Sequence, residues 1–239
     1  VIQHATPCEA AIGSTIYEAF VRAYEADKMS IFGGIVAMNK EMDAETATAM
    51  DEIFLEIVAA PSYSEQALEI LKKKKNLRIL VINFNNNKSA LDVKFTSGKV
   101  LIQETDNLNY EKLETVTTTA PTKAQLDDMK FAMIVCKHVK SNAIVIAKDG
   151  ATVAISGGQT SRIWALQNAI RNNPDKNFAG CSLASDAFFP FDDCVTLSAE
   201  HGIAAIMQPG GAGRDQDSID ACNKSGIAMV FTGTRHFKH

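Results

Sequence analysis

The sequence lacks the cysteine pattern, the long apolar run and the basic charge that would assign it to several common protein classes. Its five cysteines are odd in number and never form C-x-x-C, which argues against a disulfide framework and against a zinc site. No apolar run approaches the roughly 18 residues of a membrane span, and no signal peptide opens the chain. The formal net charge of -4 argues against nucleic-acid binding through bulk electrostatics. We therefore expect a cytoplasmic protein with free thiols and with neither a membrane nor a nucleic-acid partner.

What is present is ordinary composition for a globular protein, with 46% hydrophobic and 22% charged residues in a chain of 239. Short apolar strands alternate with amphipathic helices, a pattern that favours a layered α/β fold. A mostly polar stretch, Thr117–Pro121, ends in proline before a helix predicted to begin near Lys123. This stretch predicts a boundary between two subdomains, residues 1–118 and residues 119–239.

Several individual elements are also predicted by local signals. Ser14 is a candidate N-cap for a helix that carries Ile16 and Phe20 on one face. The apolar run Leu55–Ala60 is typical of a strand and stops at a proline. Residues 148–150, Lys-Asp-Gly, predict a hairpin turn because Asp-Gly tolerates positive φ.

Three stretches are unusually polar for their apolar surroundings, and two of them flank a predicted strand. Residues 137–142 read K-H-V-K-S-N and end an apolar helix, while residues 157–162 form a glycine loop that runs into a helix start. In that loop, backbone N–H groups and Arg162 could hold a phosphate or a carboxylate. A glycine-rich turn with a solvated arginine explains the loop equally well, and the Gly-Lys-Ser/Thr ending of a P-loop is missing.

The third stretch, residues 185–193, places phenylalanines beside carboxylates and a proline. One interpretation is a core wedge capped by a helix N-terminus at Asp192 or Asp193. The other is a wall for a flat heterocycle, with an adjacent acid for the amino groups of that ring. The basic residues 235–239 are by themselves typical of a frayed C-terminal tail.

Together these stretches resemble one family, the transformylase domain of the bifunctional purine enzymes whose other half is an IMP cyclohydrolase. The motifs, in the family's order, are K-x-x-K-S-N-A-I (137–144), G-G-Q-x-S-R (157–162), S-D-A-F-F-P-F (185–191), Q-P-G-G (208–211) and R-H-F-K-H (235–239). Upstream, H-A-T-P-C (4–8) and S-I-F-G-G (30–34) also match. The resemblance covers essentially the whole chain.

The resemblance implies two cytidine-deaminase-like α/β/α three-layer subdomains and an intertwined homodimer with active sites between chains. It implies formyl transfer from 10-formyltetrahydrofolate, a co-substrate, to the 5-amino group of AICAR, giving FAICAR in the biosynthesis of IMP. The family carries a potassium site near its active centre, so potassium is an expected ion and zinc is not. The cyclohydrolase domain is expected upstream or on a separate chain.

Formyl transfer needs a base for the amine proton, donors for the developing oxyanion and an acid for the leaving nitrogen. By resemblance, His4 accepts the proton, Asn142 points its amide at the formyl group, and Gln3 occupies a catalytic position. The resemblance assigns substrate binding to Met29, Phe32, Gly33, Glu56, Ser161, Arg162, Arg235 and His239. It assigns folate binding to Phe188, Pro190, Asp193 and Phe237.

The chain departs from the family pattern at several places. The family motif reads Lys-His where this chain has Gln3 before His4, and glutamine cannot transfer a proton. Glu9 replaces the usual glycine, and Asp192 stands where the family generally has arginine. The upstream arginine-tyrosine segment that helps to bind the AICAR phosphate is missing, and the first residue is Val1. We therefore expect an N-terminally truncated chain that binds AICAR poorly.

Two alternatives to a competent transferase follow. The departures above suggest a catalytically impaired homologue that still holds folate or nucleotide. Kinship of fold alone suggests a zinc deaminase, which requires H-x-E and P-C-x-x-C. Neither of those motifs occurs in the sequence.

Overall fold

The computed structural model describes residues 1–84 and 91–238, and over these ranges the protein is mixed α/β. The helices are α1 Ile16–Ala26, α2 Ala44–Ala49, α3 Glu65–Leu71, α4 Lys123–Cys136, α5 Arg162–Arg171, α6 Asp193–Glu200 and α7 Asp215–Ser225. The strands are β1 Ile2–Gln3, β2 Thr6–Pro7, β3 Gly34–Ala37, β4 Leu55–Ala60, β5 Arg78–Val81, β6 Leu91–Thr96, β7 Lys99–Glu104, β8 Glu114–Thr115, β9 Ile144–Lys148, β10 Ala151–Ser156, β11 Ser182–Ser185, β12 Ala205–Gln208 and β13 Ala228–Phe231. The predicted α/β class is confirmed, whereas the cytidine-deaminase-like subdomains stay a prediction.

The first sheet has the strand order β2-β1-β3-β4-β5, with β3, β4 and β5 parallel. Its apolar core joins Phe20 of α1 and Leu71 of α3 to the strand residue Val58. The prediction that Ser14 caps α1 is wrong. Thr15 is the N-cap and accepts from the backbone N–H of Glu18, because the chain turns into the helix one residue later.

The second sheet has the order β10-β9-β11-β12-β13-β8, and its two faces are covered by different helices. One apolar cluster packs α5, α6 and α7 against one face, and a second cluster packs α4 against the other. The predicted turn at 148–150 is confirmed, with both Asp149 and Gly150 at positive φ. Strand β8 precedes the predicted subdomain boundary but pairs in this sheet; the boundary itself stays a prediction.

The two larger sheets meet where residues 9–12 run beside β10. The backbone N–H of Thr152 donates to the carbonyl of Ala10 at 2.9 Å, and that of Ile12 donates to the carbonyl of Gly150 at 2.8 Å. These bonds hold the first sheet against the second within one chain. Within residues 1–84 and 91–238, no helix has the length and apolarity needed to cross a bilayer.

A two-stranded hairpin, β6–β7, forms a sheet of its own and was not predicted from the sequence. Its register pairs Val93 with Ile102 and Phe95 with Val100, so these four side chains share one face. All four are exposed, Phe95 to 84%. Since apolar patches on a lone hairpin are unusual, this face is a candidate interaction surface.

Candidate functional site

Polar side chains gather at one edge of the second sheet, where β9 begins and β11 ends. The two strands are antiparallel, with Ile144 opposite Ser185. Asn142, which precedes β9, therefore lies beside Asp186, which follows β11. The parallel strands β12 and β13 end at the same edge, and the carboxyl edge of an α/β sheet is where ligands commonly bind.

At the centre of this edge lies a buried ion pair between Arg162 and Asp186. Arg162 is 6% exposed and Asp186 is fully buried. One guanidinium nitrogen, Nη1, donates to Asp186 Oδ1 and, at 2.8 Å, to the carbonyl of Ala143. Asp186 also accepts from the Ala143 N–H at 3.0 Å and from the Ser141 hydroxyl. Because each charge compensates the other in a dry environment, removal of either leaves the other unpaired.

The amide of Asn142 is fixed on both sides by this pair and by the glycine loop. Its Oδ1 accepts from Arg162 Nη2 at 2.8 Å, and its Nδ2 donates to the carbonyl of Gln159 at 2.9 Å. The partners settle the orientation of the amide, because a guanidinium only donates and a carbonyl only accepts. Among the described residues only Gln159 accepts from Nδ2, which leaves one N–H for a ligand. The result is a preorganised donor of the kind that stabilises an oxyanion.

The glycine loop packs tightly rather than forming an open anion cradle. A Cβ on Gly157 would lie 2.2 Å from Val139 Cγ1, so this position requires glycine. The N–H of Gly158 donates to the carbonyl of Lys140 at 2.7 Å. Ser161 is the N-cap of α5, since its hydroxyl accepts from the backbone N–H of Trp164 at 3.3 Å. The loop therefore serves first to place Asn142 and its neighbours.

The core-wedge interpretation describes part of residues 185–193, and the ligand-wall interpretation stays a prediction. Phe189 is the core wedge: it is fully buried and its N–H donates to Gln208 Oε1 at 3.2 Å. The neighbouring Phe188 is only half-buried, and Pro190 is exposed. The apolar side chains on either side of the wedge are therefore accessible to a ligand.

The two acids at the end of this stretch lie at the start of α6. Asp193 is the first residue of the helix and is half-buried, and its Oδ1 accepts from the Cys194 N–H at 2.8 Å. Asp192 is the N-cap residue and is exposed, without a side-chain capping bond. The predicted helix N-terminus at these acids is confirmed.

The C-terminal segment lies across the same edge. The Ser141 N–H donates to the carbonyl of Lys238 at 2.8 Å, and the Lys238 N–H donates back to the Ser141 hydroxyl at 3.1 Å. The N–H of His236 donates to the carbonyl of Asp186 at 2.9 Å. These bonds show that residues 235–238 are docked rather than frayed.

Along this docked segment the side chains alternate between burial and exposure. His236 is buried, whereas Arg235 and Phe237 are exposed. The Arg235 guanidinium carbon lies 5.3 Å from the centroid of the Phe237 ring. His239, predicted to bind substrate, lies outside the described residues. The exposed pair is placed where it can contact a ligand at the sheet edge.

A second group of predicted residues lies on the first sheet. His4 and Ala5 form the tip of the β1–β2 turn, both at positive φ and both exposed. Gln3 Nε2 donates to the carbonyl of Phe32 at 2.7 Å, which joins the predicted catalytic strand to the predicted substrate loop. The structure therefore brings Gln3, His4 and Phe32 together.

The surface beside this group is apolar. Met29 is 86% exposed and Phe32 is 68% exposed. The ring of Phe32 contacts that of Phe54, with centroids 5.2 Å apart. Glu56 is also exposed and pairs with Arg78 at 3.0 Å. The predicted site residues thus form two groups, a first-sheet group around Gln3 and a second-sheet group around Asn142.

Glu9, the residue in place of the family's glycine, is buried beside Cys8. Burial, the largest cause, raises the pKa of the Glu9 carboxyl to about 7. The thiol of Cys8 donates to Glu9 Oε2 at 3.0 Å, and burial raises the pKa of that thiol to about 12. Burial likewise raises the thiol pKa of Cys181 to about 11 and that of Cys222 to about 12. These thiols are poor nucleophiles at neutral pH, and all five cysteines are free.

Sequence analysis assigned no separate role to Asp186 or Gln159. Gln159 binds the amide of Asn142 directly, and Asp186 holds it through Arg162. For Asp186 a usable signal existed: a carboxylate directly after an apolar strand in a predicted α/β fold. Gln159 acts through its carbonyl, which no side-chain pattern reveals. Over the described ranges, no cluster of three or more His, Cys, Asp or Glu side chains could hold a metal ion.

Comparison with known proteins identifies relatives over the whole chain. The sequence model of the AICARFT/IMPCHase bienzyme family matches residues 1–172. A bifunctional purine biosynthesis protein PurH from Clostridioides difficile is 56% identical over 239 residues, covering 100% of this chain and 47% of that protein. PurH proteins from Aquifex aeolicus and from Thermoanaerobacter sp. X514 are each 52% identical, again over 100% of this chain and 47% of theirs. The chain therefore spans about half the length of the curated relatives it matches.

Proposed function

The chain belongs to the AICARFT/IMPCHase bienzyme family, and from this membership we propose that it transfers a formyl group from 10-formyltetrahydrofolate to the 5-amino group of AICAR. The product would be FAICAR, and tetrahydrofolate would leave. The relatives are named as purine biosynthesis proteins. The family name covers two activities, a transferase and a cyclohydrolase, and each must be assigned to a part of the protein. The cyclohydrolase activity would belong to a different part of the protein or to a separate chain.

The observation that carries the proposal is the fixed amide of Asn142. Attack of the AICAR amine on the formyl carbon forms a C–N bond and places negative charge on the formyl oxygen. The remaining Nδ2–H of Asn142 can donate to that oxygen, because Arg162 and Gln159 already hold the amide in place. Breaking the bond from carbon to the folate nitrogen then completes the transfer.

Formyl transfer also moves a proton from the AICAR amine to the leaving folate nitrogen. In this proposal His4 accepts the proton lost by the AICAR amine and returns one, directly or through water, to the folate nitrogen as it leaves. His4 lies on an exposed turn, so it is accessible to a substrate. Gln3, next to it, can donate a hydrogen bond but cannot deliver a proton. Because the family has a lysine where this chain has Gln3, an alternative is an impaired homologue that binds folate or nucleotide with little turnover.

Substitution of Asn142 tests the proposed reaction. In Asn142→Ala we expect kcat for FAICAR formation to fall about 10²- to 10³-fold, because one oxyanion donor is lost. The thermal midpoint is measured alongside, since Arg162 also loses a partner. Asn168→Ala, on the same helix as Arg162 but without a contact to Asn142, is the control and should keep its activity. An Asn142→Ala enzyme that folds and turns over at the unchanged rate would contradict the proposal.

We also propose that AICAR and folate bind between two copies of the chain, which would let the first-sheet group of one copy meet the second-sheet group of the other. The apolar hairpin face and the exposed Met29 and Phe32 support a homodimer, because solvent-exposed apolar patches of this kind mark interfaces. Cytoplasmic location and the absence of a nucleic-acid partner stay predictions.

The hairpin gives a test of the dimer. Phe95→Asp is expected to raise the Kd for dimerisation about 30-fold or more, because it places a charge in an apolar contact. Thr96→Asp, on the opposite face of the same strand, is the matched control and should dimerise normally. Sedimentation velocity over a concentration series measures both. Identical behaviour of the two variants would exclude this face from the interface.

Potassium stays a prediction from the family and enters no step of the proposed reaction. Potassium is held by oxygen ligands, and the buried carboxylate at the second-sheet edge is Asp186. Both of its oxygens already accept hydrogen bonds, and Arg162 compensates its charge. This carboxylate therefore fits a bound cation poorly.

A further inference from the structure

The C-terminal segment is fastened by a histidine that none of the proposed chemistry uses. The ring of His236 is buried, with 1% of the residue exposed. Its Nδ1 lies 2.6 Å from Asp106 Oδ2, and its Nε2 lies 3.0 Å from the carbonyl oxygen of Asn109. Both contacts reach into residues 105–112, a segment that lies against the C-terminal residues 232–238.

The two contacts determine which form of the ring fits. A carboxylate and a carbonyl oxygen can only accept hydrogen bonds, so both ring nitrogens must donate. Only the imidazolium carries a hydrogen on both nitrogens. The short contact with Asp106 is typical of a charge-assisted hydrogen bond. A neutral His236 would keep only one of the two hydrogen bonds.

The charged groups near the ring come from three elements. Asp106, on the 105–112 segment, contacts the ring and also lies 4.0 Å from the Nζ of Lys137, at the C-terminal end of α4. Lys137 donates to the carbonyl of Leu108 at 3.2 Å, which ties the same segment to α4. Lys238 lies on the same segment as His236, and its Nζ donates to the His138 carbonyl at 3.3 Å.

The buried ring is flanked by two predicted ligand-binding residues. Arg235 and Phe237 precede and follow His236 in the chain and are exposed at the sheet edge. The backbone N–H of His236 donates to the backbone carbonyl of Asp186, whose carboxylate holds Arg162 and, through it, Asn142. The position of the ring therefore sets the position of both exposed side chains relative to the fixed amide.

We propose that His236, through its ring contacts with Asp106 and Asn109, is a positioning residue that holds Arg235 and Phe237 at the ligand site. The part of this proposal that concerns ligand affinity rests on the proposed function. Removing an acceptor of the ring should loosen the segment and displace both exposed side chains.

The test combines hydrogen exchange with steady-state kinetics, using Asp106→Asn because Asp106 is partly exposed and its loss should not unfold the chain. At a single pH we expect Asp106→Asn to lower the exchange protection of residues 235–238 roughly tenfold relative to the unsubstituted protein. Asp127→Asn, which removes an exposed carboxylate paired with Lys123 at 2.9 Å on α4, is the control and should follow the unsubstituted protein.

Kinetics separate docking from ligand binding. In Asp106→Asn the KM for 10-formyltetrahydrofolate should rise by a similar factor with kcat little changed, since Arg235 and Phe237 bind rather than react. Protection that Asp106→Asn leaves unchanged would overturn the proposal. Lower protection with an unchanged KM would overturn the positioning role. Absence of any turnover would refute the proposed function instead, and the exchange data alone would then decide whether the histidine fastens the segment.

Discussion

Replacing Gln3 with lysine is expected to raise kcat for formyl transfer about 10²- to 10⁴-fold, because it restores a side chain that can exchange a proton. Gln3 lies beside His4 at the β1–β2 turn, and its Nε2 donates to the Phe32 carbonyl. A lysine at this position can keep that bond with one of its three donors. Its other donors would then be available to the reacting groups.

Two further substitutions separate charge from proton transfer. Gln3→Arg supplies a cation that keeps its proton at any working pH, so it tests electrostatic stabilisation alone. Gln3→Met keeps the length of the side chain and removes its donor. We expect the order Lys above Arg above the unsubstituted protein, with Met lowest. FAICAR formation is measured at saturating AICAR and 10-formyltetrahydrofolate, so that the comparison reports kcat.

The outcome also decides between a transferase and an impaired homologue. A large gain in Gln3→Lys would mean that the reaction machinery is present and that Gln3 limits it. High turnover in the unsubstituted protein with no gain in Gln3→Lys would exclude the impaired homologue. Equal, negligible turnover in all four proteins, with folate still bound, would favour it.

Removing the guanidinium of Arg162 is expected to lower the free energy of unfolding by about 3–5 kcal/mol, because Asp186 would remain buried without its counter-charge. Arg162→Met keeps much of the side-chain volume, so the loss would report charge rather than packing. The change in the free energy of unfolding is measured by urea denaturation, monitored by circular dichroism. Arg214→Met is the matched control: Arg214 pairs with Asp217 at 2.6 Å on the exposed surface, where about 0–1 kcal/mol is expected.

A double substitution tests whether the ion pair between Arg162 and Asp186 causes the loss of stability. Arg162→Met combined with Asp186→Leu removes both charges, so we expect it to be less destabilised than the sum of the two single variants. Strict additivity would contradict the ion pair as the origin of the effect. In every variant that loses Arg162, Asn142 also loses the donor that fixes its Oδ1. Formyl transfer should therefore fall even where the protein remains folded.

Local sequence signals predicted much of the fold. The strand Leu55–Ala60 and the start of α4 at Lys123 have the predicted bounds, because proline and a capping threonine mark them. Ser14 failed as a cap because Thr15, its neighbour, satisfies the same chemical rule. The β6–β7 hairpin was missed, although Leu91, Val93 and Phe95 alternate with polar residues as expected of a strand.

The candidate site was less accessible to sequence reasoning. The motif residues could be named through the family resemblance, but their contacts depend on pairings that local patterns do not contain. Arg162 and Asp186 are 24 residues apart, and His236 is 130 residues from Asp106. Such pairs are fixed by strand order in the second sheet and by the docking of the C-terminal segment. Sequence-based reasoning therefore treated Arg162 as a ligand group and left its buried partner without a role.

The most direct test of the proposed function is the stoichiometry of the reaction. Incubated with AICAR and 10-formyltetrahydrofolate, the unsubstituted protein should form FAICAR and tetrahydrofolate in equal amounts, and Asn142→Ala should form both far more slowly. Gln3→Lys should accelerate both to the same extent. If neither the unsubstituted protein nor Gln3→Lys forms FAICAR at saturating substrates, although both are folded and dimeric, the assignment of formyl transfer to this chain is wrong.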